Sequence, residues 1–499
     1  MAETHHLTAT SMVCPPLHRS GTPAARSTGF LPRFCCACAI TLFGLAAAWG
    51  QDSESSPVPP SSADQPADRD AITLVQCIDR ALAFNPQIRQ AEQSVLEAIG
   101  AGKETQANAL PQIAAEGQWT RLDDSSFESF DSPMGPVTFG QEESWRAGPS
   151  ITQVLYSGGQ VRAAVRVAGM LDDVAISEYE RVVADTLLQV KTAYYDVLLA
   201  RANIAVREQT IELLEEQRRT TQERVQAGSS PRFDLLRADV ELANAKPPLI
   251  QARNDYILAH DRLANLLAIG VEERGRGSAE RSLNVVGEFS LPIEHEELDA
   301  AIQDALGTRP EILAMERQID IQKQNLIIAR GGYMPKVGAF ANYTWQAGQI
   351  NDDVYHGWAA GFQASWDIFD GFKTRGKVEQ ARAQLEKAKI ALEDNRRQIE
   401  LEVRAAHADL QRAIELLDAS IQNVSTAEES VRLSQVRYTS GVGTQLEVLD
   451  AQVALTEAKT NVVFAQYTYH VAKAALLKAR GASVLTHYAA MPYHTDQIR

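Results

Sequence analysis

The sequence predicts a mainly α-helical chain that also contributes to a transmembrane β-barrel. Each protomer is expected to carry long antiparallel α-helical hairpins and four strands. Three observations carry this expectation. The chain repeats itself once. Each copy holds a long run of seven-residue apolar periodicity, the mark of a helical seam. Each copy also switches to a two-residue period over stretches long enough to cross a bilayer.

The repeat comes first because it divides the chain. Ala-Leu-Ala-Phe-Asn-Pro-Gln-Ile at 81–88 returns as Ala-Leu-Gly-Thr-Arg-Pro-Glu-Ile at 305–312. Pro86 and Pro310 are 224 residues apart, as are Pro111 and Pro335. Further on the offset is 213, relating Gly158 to Gly371, Gly228 to Gly441 and Lys246 to Lys459. The difference of 11 places a longer loop between Trp119 and Trp145 of the first copy. Two copies of one supersecondary unit are expected, over 71–269 and 297–481, joined by 270–296 and followed by a tail, 482–499.

The amino-terminal region reads differently. Arg19, Arg26 and Arg33 precede an apolar run from Phe34 to Trp49, and Ala46-Ala47-Ala48 leads out of it. A basic flank, a short apolar core and a small-residue exit make a secretory signal over residues 1–50. A run of about 16 residues is short for ~30 Å of hydrocarbon, which argues against an anchor. The length of the flank points to a start codon downstream of Met1. Residues 51–70, rich in Ser, Pro and Asp, read as a flexible leader.

Charge and cysteine usage exclude several classes. Lys plus Arg number 48 against 64 Asp plus Glu. Loss of residues 1–50 removes three Arg and one Glu, leaving 45 against 63, or −18. An acidic chain is a poor match for a phosphate backbone, so nucleic acid is not an expected partner. Four of the five Cys lie within the first 38 residues, so no disulfide framework or thiolate metal site spans the body.

The helical segments follow. Between Gly159 and Ala227 there is no Pro and one Gly, Gly169, and Val183, Val190, Val197, Ile204 and Ile211 fall at seven-residue intervals. The second copy gives Val403, Leu410, Leu417, Val424, Val431 and Tyr438. A helix of roughly 65 residues reaches about 100 Å. Each ends at a turn, Gly228-Ser229-Ser230-Pro231 or Gly441-Val442-Gly443-Thr444, and the chain returns over about 233–268 and 445–480. A Gly past the last heptad position suits a left-handed helix cap. Thr444 with Glu447 fits a capping box, and Ser230 before Pro231 reads as a cap preceding Pro in the first turn. Asp234, Glu447 and Asp450 lie just past the tips, where they either complement a helix N-terminus or line a narrow aperture.

Between the shorter first helix and the long helix of each copy the period becomes two. After Pro335, Val337, Ala339, Ala341, Tyr343 and Trp345 alternate with a polar or small set, and then Trp358, Ala360, Phe362, Ala364, Trp366 and Ile368 do the same. The first copy gives Ile113, Ala115, Gly117 and Trp119, then Trp145, Ala147, Pro149, Ile151 and Leu155, with Gln153 a polar exception. One apolar face with large aromatics near its ends, opposite a small or polar face, is the pattern of a barrel with lipid outside and water inside. Trp119, Trp145, Trp345, Trp358 and Trp366 form the expected interfacial belt. Four strands cannot close around a pore, and open edges are intolerable in lipid, so closure needs several protomers.

At this point the chain resembles the TolC-like outer-membrane efflux proteins. The resemblance runs over about 70–482 and rests on Asn85-Pro86 with Arg309-Pro310, on Leu155-Tyr156-Ser157-Gly158-Gly159 with Ile368-Phe369-Asp370-Gly371, and on Tyr438 to Lys459. It implies a homotrimer, a shared twelve-stranded barrel and an α-helical periplasmic tunnel. It further implies docking of the tips on a periplasmic adaptor fed by an inner-membrane pump. The expected function is the outer-membrane channel of a tripartite export system, passive and without cofactor. Gly228, Ser229, Ser230 and Asp234, with Gly441, Val442, Gly443, Thr444, Glu447 and Asp450, are the expected docking and aperture residues. The first tip departs from the family pattern at Ser229-Ser230-Pro231.

No enzyme motif is present. His295-Glu296-Glu297 lacks the second His of a metalloprotease helix, and Gly275-x-Gly277 lacks the third Gly of a dinucleotide loop. A secreted coiled-coil scaffold, or a periplasmic adaptor that never enters a membrane, is the alternative reading of the hairpins.

Overall fold

The structure is a computed structural model. It describes residues 71–123, 128–133, 135–139, 142–270, 284–289, 293, 296–348 and 353–481. The expected signal, leader and tail, and much of the inter-repeat segment, lie outside the described residues.

The first half runs β1 (Ala71–Ile72), α1 (Leu74–Phe84), α2 (Pro86–Ala107), β2 (Gln112–Arg121), β3 (Glu128–Ser132), β4 (Gly135–Phe139), β5 (Glu143–Tyr156), α3 (Gln160–Gln226) and α4 (Arg232–Leu266). After β6 (Asn284–Val285) the second half runs α5 (Leu298–Thr308), α6 (Pro310–Arg330), β7 (Lys336–Ala347), β8 (Tyr355–Ser365), α7 (Lys373–Thr439) and α8 (Gln445–Ala479). The long helices α3 and α7 each have 67 residues, and the returns α4 and α8 each have 35.

The heptads account for the packing. Val183, Val190 and Val197 are buried on α3, and Val403, Leu410, Leu417 and Tyr438 on α7. Val190 and Val197 share one core with Cys77 and Ala81 of α1 and Leu263 of α4. Val403, Leu410 and Leu417 share another with Tyr469 and Leu476 of α8. Each hairpin is therefore zipped by its own seam.

Two sequence expectations need correction here. The single short helix expected in each copy is a pair, broken at Asn85 and at Arg309, which are both extended at ψ near 128° and 129°. Pro86 and Pro310 follow, and Pro crowds a helical residue before it. Asn85 Oδ1 caps α2 by accepting from the Gln87 amide at 2.8 Å, while Nδ2 donates to the Leu266 carbonyl at 2.8 Å. The longer loop of the first copy holds a small antiparallel hairpin, β3 with β4. Its strands have five residues each, too short for alternation to register in the sequence.

A short clasp joins the repeats. β1 pairs in parallel with β6, Ala71 opposite Asn284 and Ile72 opposite Val285. Arg201 of α3 donates to the Val285 carbonyl at 2.8 Å and to that of Gly287, and the Tyr194 hydroxyl donates to Val286 at 2.9 Å. Phe289 joins a three-ring cluster with Tyr195 of α3 and His470 of α8, its centroid 6.2 and 5.5 Å from theirs and theirs 4.9 Å apart.

Candidate conduit surfaces: the four-stranded sheet and the hairpin tips

The four long strands form one antiparallel sheet, ordered β2-β5-β7-β8. The β5–β7 ladder joins the two repeats, and β2 and β8 are its edges. Register places the apolar sets on a common face. Ile113 pairs with Ile151, Gly117 with Ala147 and Trp119 with Trp145. Ile151 pairs in turn with Ala341, and Ala147 with Trp345. Tyr343 pairs with Trp358, and Ala339 with Phe362. The opposite face holds Gln118, Arg146, Asn342, Thr344 and Gln363 among others, and Arg146 Nε donates to Gln118 Oε1 at 2.9 Å.

The aromatics sit at the two ends of this face. Trp119, Trp145, Trp345 and Trp358 lie at the end away from the helices. Trp366, read as a strand residue, lies one position past β8 at the helical end. Pro335 has no N–H to continue the ladder, so β7 begins at Lys336, whose partner Ser365 is the last residue of β8. The Trp366 indole donates instead to the Tyr333 carbonyl at 3.1 Å. Leu155 is also displaced from the expected alternation. Pairing passes from Val154–Gly338 to Tyr156–Val337 across a bulge, so Tyr156 takes the place opposite Val337. Gln153, the polar exception, donates to the Ala109 carbonyl at 3.1 Å.

Each hairpin turns through a Schellman motif, which needs a residue at positive φ. Gly228 has φ +75° and Gly441 +80°. The Ser229 amide donates to Arg224 O at 2.9 Å and the Gly228 amide to Val225 O at 3.1 Å. At the second tip the Val442 and Gly443 amides both donate to Arg437 O, at 3.0 and 2.9 Å. Ser229 adds a hydroxyl bond to Arg224 O at 3.1 Å.

The returns start unequally. Thr444 caps α8, its hydroxyl oxygen accepting from the Glu447 amide at 3.3 Å. The Glu447 carboxylate meets the Thr444 hydroxyl and Arg437 Nε, each at 3.3 Å. Ser230 does not cap α4. Pro231 occupies the cap position, with φ −71° and ψ 150°, and its carbonyl accepts from the Asp234 amide at 3.1 Å. Asp450 is exposed and Asp234 half-buried, and neither carboxylate has an ion-pair partner among the described residues. At the 213-residue offset Asp234 matches Glu447, whereas Asp450 matches Arg237. Val442 projects into solvent, 71% exposed.

The tips also touch. Arg224, at the end of α3, lies over the Tyr438 ring at the end of α7, 4.4 Å from its centroid. Its Nη1 donates to the Tyr438 carbonyl at 3.4 Å. Deeper in, Gln445 Nε2 donates to Thr221 Oγ1 at 3.2 Å within a buried contact. Neither contact has a local sequence signal, because its partners are 214 and 224 residues apart.

This geometry, two zipped hairpins under an amphipathic sheet, defines a class of membrane channel subunit. The family model described as "Outer membrane efflux protein" matches residues 77–268 and 301–482. The chain belongs to that family and is an outer-membrane channel protein with its helical hairpins in the periplasm. Protein CyaE of Bordetella pertussis is 26% identical over 452 residues, covering 89% of each chain. Outer membrane protein TolC of Vibrio cholerae is 23% identical over 419 residues, 82% of this chain and 91% of that one. The CmeC outer membrane channel of Campylobacter jejuni superposes with a TM-score of 0.71 at 15% identity, over 85% of this chain and 90% of that one.

Proposed function

We propose that three copies of this chain pool their sheets into a twelve-stranded barrel and align their hairpins into a water-filled tunnel. The single observation that carries this reading is a four-stranded sheet with one apolar face, one polar face and two unpaired edges. Two copies would give eight strands, whose interior side chains fill it. Three copies leave a lumen. Trp119, Trp145, Trp345 and Trp358 then mark one membrane interface and Trp366 the other.

The tunnel conducts passively and the chain performs no catalysis of its own. Its tips, Gly228-Ser229-Ser230 and Gly441-Val442-Gly443-Thr444, dock on a periplasmic adaptor served by an inner-membrane pump. The departure of the first tip from the family pattern makes Val442 and its neighbours the stronger docking element. Asp450, with Asp234 and Glu447 in support, rings the narrow end and favours cations. Glu447 is the weakest of the three because Arg437 neutralises it locally.

Planar-bilayer recording of Asp450→Ala tests the aperture. The expected result is lower cation selectivity or weaker block by divalent cations. No change in either removes Asp450 from the gate. Recovery of the whole protein in soluble form without detergent, after cell fractionation, would overturn the conduit itself and favour a secreted scaffold.

A further inference from the structure

The clasp is a short stretch of chain, residues 284–289, seated on helices of both hairpins. On the first hairpin it lies over α3, where Arg201 and Tyr194 donate to its carbonyls. The seat is close, because a side chain at Gly287 would collide with the Tyr194 hydroxyl. On the second hairpin it meets α8 through Phe289, whose ring lies 5.5 Å from that of His470. Further along, the chain is anchored again at Glu296. Its carbonyl accepts from His407 of α7 at 2.9 Å, its carboxylate pairs with Arg480, and Asp304 meets the same guanidinium at 2.7 Å.

Two histidines stand behind the first anchor. The His470 ring stacks on Tyr195, Tyr469 stands edge-on to it at 5.3 Å, and its Nε2 is buried without a hydrogen-bond partner. The charged groups around it are Lys473 one turn along α8, Lys191 one turn from Tyr195 on α3, Asp196, which is bonded to Tyr467, and the exposed Glu288 of the clasp. His260 is buried on α4, and neither ring nitrogen has a partner. Its charged surroundings are Arg201 of α3, the adjacent Asp261, and Asp79 and Arg80 on the turn of α1 that packs on the same core; Tyr194, Tyr256 and Cys77 are the other titratable groups there. A proton on His260 places a second cation beside the guanidinium that grips Val285 and Gly287. A proton on His470 places one beside Lys473 and inside the ring cluster that holds Phe289.

We propose that the clasp is an acid-sensitive latch between the two hairpins, closed while His260 and His470 are neutral and released from α3 and α8 when they take up protons. The inference goes beyond the conduit reading and holds within a single chain. Its sign follows from burial, which lowers the pKa of both groups, that of His260 from 6.5 to about 4. The stability such a group confers is complete above pH 6.5 and is lost as pH falls from there. The faces of Tyr195 and Phe289 favour a cation, so His470 contributes the smaller part and His260 the larger. The Glu296 anchor does not share this sensitivity. His407 donates there through a ring N–H that a further proton leaves in place, and the Arg480 pairs contain no imidazole. Release parts the clasp from both hairpins beside the Tyr195–His470 stack, so acid loosens the hold of one hairpin on the other.

Amide exchange of the full-length protein in mild detergent, at pH 7.5 and 5.0 and corrected for the intrinsic chemical rate, tests the latch. Residues 284–289 are expected to open about tenfold more readily at pH 5.0, while 297–301, at the second anchor, change by less than about threefold. His260→Leu with His470→Phe keeps apolar bulk and ring stacking and removes both titrations. The clasp of this double variant is expected to be equally protected at the two pH values. The same acid gain in the double variant overturns the proposal. So does the absence of any gain in the unmodified protein, or an equal gain at both anchors. If the double variant is unprotected at pH 7.5, the two substitutions are read singly. Each is then expected to reduce the gain, and an unchanged gain in both overturns the latch.

Discussion

Hairpin one returns through α4 and hairpin two through α8, and the two returns match in length but not in surroundings. α8 lies between α7 and α3 of its own chain and buries Val448, Leu449, Ala451, Gln452, Leu455 and Ala458 in its first half. From Arg232 to Gln251, α4 buries only Ala238. The sequence differs at the same place. α4 carries Pro247 and Pro248 in mid-helix, where α8 has Thr460 and Asn461. Corresponding helices of the two repeats can thus share length and seam spacing, yet differ in burial because only α8 is packed between two helices of its own chain.

The largest expected effect follows from the proline pair. A Pro inside a helix costs about 3 kcal/mol relative to Ala, because it removes a donor and crowds the preceding turn. Pro247→Thr with Pro248→Asn installs the residues of the second repeat and restores two amide donors. The expected gain in local stability is about 3 kcal/mol, or roughly 100-fold slower amide exchange across residues 239–251. In the unmodified protein the same stretch is expected to exchange faster than 452–464 of α8. Equal exchange in the two returns would mean that α4 is held by contacts with its neighbours and not by its own backbone ladder.

Much of this contrast was legible in the sequence, and the reasons for the remainder are physical. The heptads of α3 and α7, the glycines of both tips and the common apolar face of the sheet were all readable, because each rests on a local period or a single conformational demand. The places of Trp366 and Leu155 are not legible locally, because ladder ends and bulges are set by the partner strand, here by Pro335 and Val337. Ser230 has the residue type of a cap, but the residue after it takes that role. The Arg224–Tyr438 contact joins residues whose adjacency only the fold creates.

A second difference between the hairpins lies at their far ends. His260 of α4 is buried, and its counterpart at the 213-residue offset is Lys473. Both ring nitrogens of His260 lack a hydrogen-bond partner, and the Tyr256 ring stands edge-on at 4.4 Å. Burial lowers its pKa from 6.5 to about 4, opposed by Asp261 and aided by Arg201. A depressed pKa means that the neutral form is favoured by folding. The stability this confers is complete above pH 6.5 and is lost as pH falls from there towards 4. The expected loss is about 2 kcal/mol after allowing for solvent screening. Thermal melts of His260→Leu between pH 7.5 and 4 are expected to lack this component. An acid-side slope identical to that of the unmodified protein would place the sensitivity elsewhere.

The smallest effect separates the two tips. Thr444 caps α8 through its hydroxyl, and loss of such a cap costs about 1 kcal/mol. Ser230 is half-buried but makes no cap bond, because the backbone of Pro231 opens α4. Thr444→Ala is therefore expected to lower stability by about 1 kcal/mol and Ser230→Ala by less than ~0.5 kcal/mol, as read from denaturant midpoints. The exposed Arg437–Glu447 pair adds little to this difference, since a surface ion pair contributes at most about 1 kcal/mol. Glu447→Gln keeps a hydrogen-bonding side chain at the same place and isolates that part. If Ser230→Ala proved as costly as Thr444→Ala, the first return would depend on its serine in the assembled state, and the two tips would be equivalent in the tube despite their different geometry in a single chain.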